Sequence, residues 1–538
     1  MPPGCLFNTA HLPGLAAEEN SVEMNRRNQA VLAVLTVAWV LGSSACSPYL
    51  PPTAVPAAAV PSPELELFRT ALKTYIDQTQ PFRKEAATKG NAAPNQATSA
   101  SDAEGAVRLR QRTLAESIQT KVRPDARQGD LFPPSVAEVI RQQIAKAFRS
   151  AKVDLIRDGL LEQTEGQKDA PTLAINRMVR VPRVPPLLLE SLPQLPEQVE
   201  FDFSGRTLIL RDVDADLVVD FIPEAFPEPT PAASVAPPSR PGVTDALDPF
   251  LPLPDVAGAT IFGLIGDSGS GDQAQQAVAN AMVRYFTTAR RFPFVLMLGD
   301  NLYDDDYQGE FSVPYQGLLE RGVLFYASLG NHDREIEQHY KPFHMGDRLY
   351  YTFTEGNARF VVLNSNRPGD RAQLVWLDTA FGNTGTKWRI SFFHHPLYSS
   401  GDHAQESRDV IRPALEPALV RNHVDVVFTG HDHLYERIAP QQGIRYFVSG
   451  GGGRQLYDFR KSAFDEVGSS EHHFMVVEIA GDQMFFEAIT PQGRTLDCGV
   501  LWRTVEAAAK PQDGTTLAWQ DACRVATAWR APRATGSQ

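Results

Sequence analysis

The sequence has few cysteines, fewer basic than acidic side chains, and no long uninterrupted apolar run. Its 538 residues include four cysteines, which are too few for a scaffold stabilised mainly by disulfides. The best apolar run, residues 30–42, is shorter than the ~20 residues that a membrane-spanning helix needs. With 64 acidic and 51 basic residues, the chain lacks the basic footprint that a nucleic-acid backbone requires, so no nucleic-acid partner is expected. The length allows about three globular domains.

The run at residues 30–42 has the features of a secretory signal. Arg26 and Arg27 precede it, and small residues follow it. A basic segment, a short apolar segment and a small-residue cleavage site are the three parts of such a signal. We therefore expect residues 1–46 to be leader and signal, with Met24 as the start.

Cys46 follows the small residues directly, which resembles a bacterial lipoprotein signal in which the cysteine carries lipid. The sequence departs from the usual lipoprotein pattern at Ser43, three residues before the cysteine, where leucine is typical. Three outcomes stay open: a lipid on Cys46, secretion without lipid, and an uncleaved anchor. We expect an exported protein, either periplasmic or a lipoprotein of the outer membrane or cell surface, whose membrane contact is limited to that lipid.

Export would place the chain in an oxidising compartment, where cysteines can pair. Downstream of the signal, Cys498 and Cys523 are the available pair. Two unrelated cysteines fit the sequence equally well, because spacing does not reveal proximity.

The 41 prolines are concentrated in segments that separate regions of different character. Stretches rich in proline and alanine are typical of tethers and linkers rather than of folded cores. With these segments as boundaries, we divide the rest of the chain into a tether at 47–63, an N-terminal module at 64–227, a linker at 228–254, a second domain at 255–505 and a C-terminal extension at 506–538.

The N-terminal module, residues 64–227, is predicted to be a separate α+β unit or a helical arm. Apolar residues recur at helical spacing in residues 64–84 and 107–161. Alternating residues on both sides of positions 204–205 predict a hairpin, and residues 217–222 a third strand. No pattern in this module indicates catalysis.

From Thr260 onward, short apolar runs end abruptly in polar side chains that can bind metals. Helical patterns, such as 273–290 and 407–422, lie between these runs. Alternating strands and helices favour a mostly parallel, buried sheet, whose ligands collect beyond the carboxyl ends of the strands. The strand ends carry Asp267-Ser268-Gly269, Gly299-Asp300-Asn301-Leu302-Tyr303, Gly330-Asn331-His332-Asp333, His394-His395-Pro396 and Gly430-His431-Asp432-His433.

The side chains in these five blocks are carboxylates, a phenol, amides and imidazoles. This is a donor set that suits Fe, Mn or Zn, and the glycines let the backbone turn sharply and a ligand approach closely. Each block alone has an ordinary explanation, such as a helix cap or a surface histidine. Their joint occurrence at five strand ends predicts a metal site.

The five blocks resemble the signature of the calcineurin-like metallophosphoesterases and, within that superfamily, the purple acid phosphatases of the tartrate-resistant type. The resemblance covers residues 260–479, somewhat under half of the chain. It implies an α/β fold, a four-layer α-β-β-α sandwich in which two mixed sheets pack face to face with helices outside. It also implies a two-metal site at one sheet edge.

The resemblance assigns metal ligands position by position. Asp300 would bridge two metal ions. The first ion would take Asp267, Tyr303 and His433, and the second would take Asn331, His394 and His431. His394 is preferred to His395 because the family's ligand lies two residues before the proline.

The same resemblance implies which residues act on the substrate. His332 would be the general acid or a phosphate contact, oriented by Asp333. His403 falls where the purple phosphatases have a second active-site histidine. Substrate contacts would come from Asn331, His332, His403 and Arg454. For Arg454 the alternative is an ordinary solvated side chain.

Gly269 stands where most two-metal phosphoesterases have a histidine ligand, and glycine cannot bind a metal. Tyr303 is placed to supply the missing ligand, three residues after Asp300. A phenolate is a hard anionic donor, so we expect Fe(III) at this position and Fe(II), Zn or Mn at the second. The alternative is that Tyr303 only packs against its neighbours.

These features predict an exported phosphohydrolase in which two metal ions generate a hydroxide that attacks small phosphate monoesters. A phosphodiesterase on the same two-metal core is one alternative, because loop shape decides which ester fits. A surface-tethered interaction protein with a vestigial catalytic domain is another. The filled ligand positions argue against that second alternative.

Overall fold

The computed structural model describes residues 62–90, 100–150, 153–163, 171–179, 181–189, 191–227, 247–382, 385–504, 508–509 and 512–528. The predicted signal, Cys46, nearly all of the tether and most of the linker lie outside the described residues, so these assignments stay predictions. The described residues all belong to one compact unit. In the described part of the chain, no helix is both long and apolar enough to cross a bilayer.

Helices make up the first part of the N-terminal module. They are α1 Pro63–Gly90, α2 Ala100–Ser117, α3 Pro134–Ala147, α4 Val153–Gln163 and α5 Pro186–Leu189, with a π-helical turn at Ile118–Val122. In α3, Val136, Ile140 and Ile144 lie one turn apart and are all buried. The helix therefore turns one apolar face to the core, and the predicted helical spacing is confirmed here. Residues 123–133, within the predicted helical stretch 107–161, form turns instead of helix.

The second part of the module is a three-stranded antiparallel sheet. Its strands are β1 Val199–Ser204, β2 Thr207–Asp212 and β3 Leu217–Ile222. The turn between β1 and β2 contains Gly205 with a φ of +54°, a conformation that suits glycine. The predicted hairpin and third strand are confirmed.

The remainder of the chain alternates strands with helices. The strands are β4 Thr260–Ile265, β5 Phe294–Met297, β6 Leu324–Ala327, β7 Tyr351–Glu355, β8 Ala358–Val362, β9 Trp388–Phe392, β10 Val426–Thr429, β11 Tyr435–Gln441, β12 Ile444–Ser449, β13 Asp465–Ser469, β14 Phe474–Ala480, β15 Gln483–Ile489 and β16 Thr495–Trp502. The helices are α6 Gln273–Thr288, α7 Gln316–Leu319, α8 Arg371–Ala380, α9 Ala404–Glu406, α10 Arg412–Arg421 and the C-terminal helix Gly514–Ala526. Short 3₁₀ or π segments occupy Tyr307–Ser312, Glu335–His339, Lys341–Phe343 and Ser407–Ile411.

Strands β4 to β16 form two mixed sheets, with the orders β13-β11-β12-β10-β9-β8-β7 and β16-β15-β14-β4-β5-β6. Strands β4-β5-β6 and β8-β9-β10-β12 pair in parallel, and the other pairs are antiparallel. Phe262 of β4 lies 5.4 Å from Phe360 of β8 and 6.3 Å from Phe428 of β10, measured between ring centroids. The sheets therefore pack face to face, and the predicted α/β fold with two mixed sheets is confirmed.

The N-terminal module shares a hydrophobic core with the two-sheet domain. One continuous cluster of buried side chains contains Phe132 and Phe201 from the module, Leu377 from α8 and Leu415 from α10. The sequence predicted a separate module, whereas the structure packs it into the same compact unit. The reason is that its helices and sheet bury their apolar faces in this cluster. The predicted residue boundaries stay predictions.

A buried set of ion pairs, which we call the bridging network, links the module to the loop after β6. Its members are Arg183, Glu200, Asp202, Arg211, Asp216 and Glu335. Arg211 is 1% exposed and pairs with three carboxylates. Arg183 donates a hydrogen bond to the Asp333 carbonyl oxygen at 2.6 Å. Charges at this depth are tolerated because each has partners.

The pairing of Cys498 and Cys523, which the sequence left open, is formed, with the two Cα atoms 5.7 Å apart. It joins β16 to the C-terminal helix. Trp519 of that helix packs against Phe485 of β15, with ring centroids 6.3 Å apart. The C-terminal helix is thus fixed to the edge of the six-stranded sheet by a covalent bond and by apolar packing.

We expect Arg211→Ala to lower the free energy of unfolding by about 3–5 kcal/mol, because it leaves buried carboxylates without their counter-charge. Chemical denaturation measures this change. Arg421→Ala is the matched control: Arg421 forms an exposed pair with Asp378, and such pairs contribute about 0–1 kcal/mol. Equal effects of the two variants would contradict a stabilising role for the bridging network.

Candidate metal centre

The predicted blocks lie beyond the carboxyl ends of neighbouring strands. Asp267 follows β4, Asp300 follows β5 and His431 follows β10. All three have a left-handed backbone, with φ values of +55°, +52° and +69°. This conformation is costly for residues other than glycine and is concentrated at functional sites. The surrounding fold therefore imposes these sharp turns at the carboxyl ends of strands from both sheets.

Two glycines permit approaches that no other residue would allow. A Cβ atom at Gly330 would overlap the Asp300 carboxylate, and one at Gly269 would overlap the backbone carbonyl of Asn301. The Gly269 carbonyl also accepts a hydrogen bond from the Tyr303 N–H at 3.2 Å. The structure thus gives a steric reason why position 269 holds no histidine: the backbone that carries Tyr303 occupies that space.

The first group of donors contains Asp267, Asp300 and His433, whose ligand atoms all lie within 4.8 Å of one another. His433 Nε2 is 3.5 Å from Asp267 Oδ1 and 3.2 Å from the Tyr303 phenol oxygen. The first three side chains are buried and Tyr303 is partly buried. The four residues predicted to surround the first ion are therefore brought together.

The second group of donors also lies next to Asp300. Asn331 Oδ1 is 2.7 Å from His394 Nε2, and the same nitrogen is 3.4 Å from Asp300 Oδ2. The ring of His431 lies 4.9 Å from that of His394, measured between centroids. Asp300 therefore borders both groups, which is the position that a bridging carboxylate requires.

Backbone carbonyls fix the orientation of two imidazoles. His394 Nδ1 is 3.0 Å from the Leu298 carbonyl oxygen, and His433 Nδ1 is 2.7 Å from that of Gln455. In the neutral form of each ring, donation from Nδ1 to these carbonyls leaves Nε2 as the acceptor. Metal-binding histidines are commonly oriented in this way, and here both Nε2 atoms face the carboxylates.

His395 and Glu406, which were not among the predicted ligands, also reach His431. His395 lies with His394 and His431 in one buried group of donors. Glu406 Oε2 is 3.2 Å from His431 Nε2, and His403 completes a third group. The only sequence signal for Glu406 is its position three residues after His403, which places both on one helical turn.

Tyr457 is a further residue that sequence reasoning missed. Its ring stacks on His433 with a centroid distance of 4.2 Å and an interplanar angle of 17°. Its N–H also donates to the His433 carbonyl at 3.0 Å. A single tyrosine in an irregular loop belongs to no motif, so its proximity to the centre follows only from the fold.

Burial and neighbouring charges shift the pKa values of these groups. Burial alone would lower the pKa of His394, but the charges of Asp300 and Asp267 outweigh it and raise the pKa to about 10. Burial raises the pKa of Asp267. Burial and the two carboxylate charges raise the pKa of the Tyr303 phenol well above its ordinary value. A phenolate at this place therefore requires a compensating cation.

The donor set fits metal ions. Asp300 is 1% exposed, and its Oδ2 has no hydrogen-bond partner among the residues that the structure describes. A buried carboxylate oxygen in that state is costly, and a cation between the two donor groups would satisfy it. Carboxylate, phenol, amide and imidazole donors in combination suit Fe, Mn or Zn.

Asp333 is buried, and its carboxylate holds the backbone of two loops. It accepts hydrogen bonds of 2.7–2.9 Å from the N–H groups of Asn301, Leu302 and Gly330. Both carboxylate oxygens are engaged by the loops after β5 and β6. The orientation of His332 by Asp333 stays a prediction. Burial and the charge of Asp300 raise the pKa of Asp333 to about 7.

The other residues predicted to contact substrate border the donor groups. The His332 ring lies against Tyr303, with centroids 4.5 Å apart, and the His403 ring is 4.0 Å from that of His431. The Arg454 guanidinium is 4.5 Å from the Tyr303 ring centroid, a cation–π contact. Substrate contact by these three side chains stays a prediction.

We expect Gly269→Ala to weaken metal binding about 10–100-fold, because the added methyl group displaces the backbone between Asp300 and Tyr303. Gly105→Ala, whose Cβ meets no atom within 4 Å, is the control. The metal content of both variants after dialysis at limiting metal measures the effect. Undiminished metal content in Gly269→Ala would contradict the steric role of this glycine.

Comparisons with known proteins agree with the motifs. The family model described as Calcineurin-like phosphoesterase matches residues 261–435. The chain is 26% identical over 218 residues to a purple acid phosphatase of Glycine max, covering 35% of this chain and 46% of the relative. It is 29% identical over 219 residues to Fe(3+)-Zn(2+) purple acid phosphatase 12 of Arabidopsis thaliana, covering 35% and 46% respectively. Among solved structures, purple acid phosphatase PPD1 from yellow lupin (Lupinus luteus) seeds has a TM-score of 0.41 and 14% identity, covering 57% of this chain and 61% of that one.

The chain spans about half the length of the curated relatives that it matches. The family match begins in β4 and ends at the start of β11, so it includes every predicted block. Residues 261–435 therefore match the Calcineurin-like phosphoesterase family model, and the chain is similar to purple acid phosphatases, as the motifs predicted.

Proposed function

We propose that the protein is a phosphohydrolase that holds two metal ions at this centre and cleaves phosphate monoesters. The observation that carries the proposal is the position of Asp300, whose buried carboxylate borders both groups of donors. A single ion would leave one group of buried donors without its partner. The similarity to purple acid phosphatases supports the same conclusion for the domain.

We assign the ligands of each ion from the two groups of donors described above. Asp300 would serve both ions. Asp267, Tyr303 and His433 would hold the first, and Asn331, His394 and His431 the second. The anionic phenolate of Tyr303 favours Fe(III) at the first position. We propose Fe(II), Zn or Mn at the second, and one relative carries Fe(3+)-Zn(2+) in its name.

When bound, two such ions neutralise phosphoryl oxygens and lower the pKa of a coordinated water. The chain's own residues supply positioning and proton transfer. His332 lies against Tyr303 and His403 lies against His431, so each borders one donor group. Either imidazole can donate a proton to the departing alkoxide if the ester oxygen lies within hydrogen-bond reach.

The predicted phosphodiesterase activity is the second candidate, since a two-metal centre serves both ester classes. The relatives in the comparison are named phosphatases, which favours monoesters. An interaction protein with a vestigial domain fits less well, because each predicted ligand position holds a side chain capable of binding metal.

We also propose that the protein is exported. The predicted signal lies outside the described residues and stays a prediction. The disulfide between Cys498 and Cys523 supports export, because disulfides persist in oxidising compartments. The lipid on Cys46 remains part of the proposal.

We expect Asp300→Asn to lower kcat on p-nitrophenyl phosphate at least about 100-fold, because the amide removes the charge shared by both donor groups. Asp378→Asn, an exposed aspartate, is the control and should retain full activity. The native protein should hydrolyse this monoester faster than bis(p-nitrophenyl) phosphate. Retained activity in Asp300→Asn would refute catalysis at this centre, and preference for the diester would favour the second candidate.

A ferric ion bound by a phenolate gives a visible charge-transfer absorption band. We expect this band in the native protein, and we expect Tyr303→Phe to lose it while keeping bound iron. Tyr457→Phe is the control, because Tyr457 stacks on His433 by its ring and should keep the band. A band that survives in Tyr303→Phe contradicts phenolate ligation by Tyr303. Its absence from the native protein favours a Mn or Zn pair.

A further inference from the structure

The N-terminal module and the phosphoesterase domain together enclose a cavity of about 410 Å³. One wall comes from the module, between Arg183 and Phe201. The other comes from Asn331 and from the segment Asn366–Asp370, which precedes α8. The volume lies within the usual range for small-molecule pockets. Neither part of the chain forms this cavity alone.

The cavity reaches the metal centre through Asn331. This side chain lines the cavity, and its Oδ1 is 2.7 Å from His394 Nε2. Asn366, on the same wall, donates a hydrogen bond to the Gly330 carbonyl at 2.8 Å. A molecule in the cavity would therefore lie beside the loop that carries a predicted metal ligand, where one end of a phosphate ester must enter.

The lining favours an uncharged, partly apolar group. Much of the module's wall is apolar and consists of Val184, Pro185, Leu189, Leu192, Pro193, Leu195 and Phe201. The charged lining residues are two arginines and two carboxylates, Arg183, Arg367, Glu200 and Asp370. Arg183 pairs with Glu200, and Arg367 pairs with Glu335 at 2.8 Å. No net charge is therefore offered to a ligand.

Asn366 adds a polar feature to the cavity wall. It is 7% exposed, and its Oδ1 has no hydrogen-bond partner within the described ranges. That oxygen is buried within the wall, so it does not offer an accessible acceptor to a molecule in the cavity.

We propose that this cavity binds the organic part of the substrate, an uncharged and partly apolar alcohol or phenol. The inference rests on the proposed function, because it takes the metal centre as the place where the phosphoryl group is held. It gives the N-terminal module a role in substrate selection. Esters with a bulky apolar group gain contacts with the module, whereas small esters do not reach it.

Gly369→Trp tests the proposal by obstructing the cavity from its rim. Gly369 lines the cavity and is exposed, and a Cβ there meets no atom within 4 Å, so the variant should fold. The readout is the ratio of kcat/KM for 1-naphthyl phosphate to kcat/KM for methyl phosphate. We expect this ratio to fall about tenfold, the usual effect of losing contacts in an apolar pocket.

Gly514→Trp is the matched control, because Gly514 begins the C-terminal helix and a Cβ there also meets no atom within 4 Å. It should leave the ratio unchanged. Leu195→Asp is a second variant, which places a charge on the apolar wall at a half-buried position and should lower the ratio similarly. An unchanged ratio in both cavity variants would overturn the proposal.

Equilibrium binding of 1-naphthol, followed by its fluorescence, separates this proposal from the proposed function. If the native protein hydrolyses neither ester but binds 1-naphthol, and Gly369→Trp weakens that binding, the proposed function fails and the cavity stands as a ligand site. If the native protein hydrolyses both esters and Gly369→Trp changes neither the ratio nor 1-naphthol binding, the cavity proposal fails alone.

Discussion

The buried carboxylate of Asp300 is the constraint on which the rest of the centre depends. A charge at this depth is costly unless positive charge or hydrogen-bond donors compensate it, and its Oδ2 has no hydrogen-bond partner in the part of the chain described. The left-handed turn at Asp300, the space left by Gly330 and the backbone hydrogen bonds to Asp333 all hold this carboxylate in place. The two groups of donors on either side are arranged around it. Cations are the partners that would balance the group.

The parts of the site that could be predicted from the sequence are those formed by residues close together in the chain. Short apolar strands ending in polar residues are visible in the sequence, because parallel buried strands need apolar residues on both faces. The order of strands in each sheet depends on contacts between residues far apart in sequence. Parallel strands nevertheless place their carboxyl ends at the same edge of a sheet, so the proximity of the polar strand ends could be predicted. Glu406, His395 and Tyr457 could not be assigned in this way. Their contacts with the centre depend on how loops and helices pack, and no residue spacing encodes those distances.

In the N-terminal module, too, the secondary structure could be predicted from the sequence, whereas the contacts between distant residues could not. Its helices and hairpin were predictable from spacing and from the turn at Gly205. Its packing against the two-sheet domain was not, because the bridging network joins residues far apart in sequence, such as Arg183 of the module with Glu335 beyond β6. The same packing brings Arg183 to the Asp333 carbonyl. The module therefore contacts the loop that carries Asn331, and the cavity forms where the two meet.

The metal content of the purified full-length protein, determined by elemental analysis, tests the central claim most directly. A centre in which Asp300 borders two groups of donors predicts about two metal ions per chain, at least one of them iron if Tyr303 is a phenolate ligand. One ion per chain would contradict a bridging role for Asp300. A chain that binds no metal under any loading condition would contradict the centre itself.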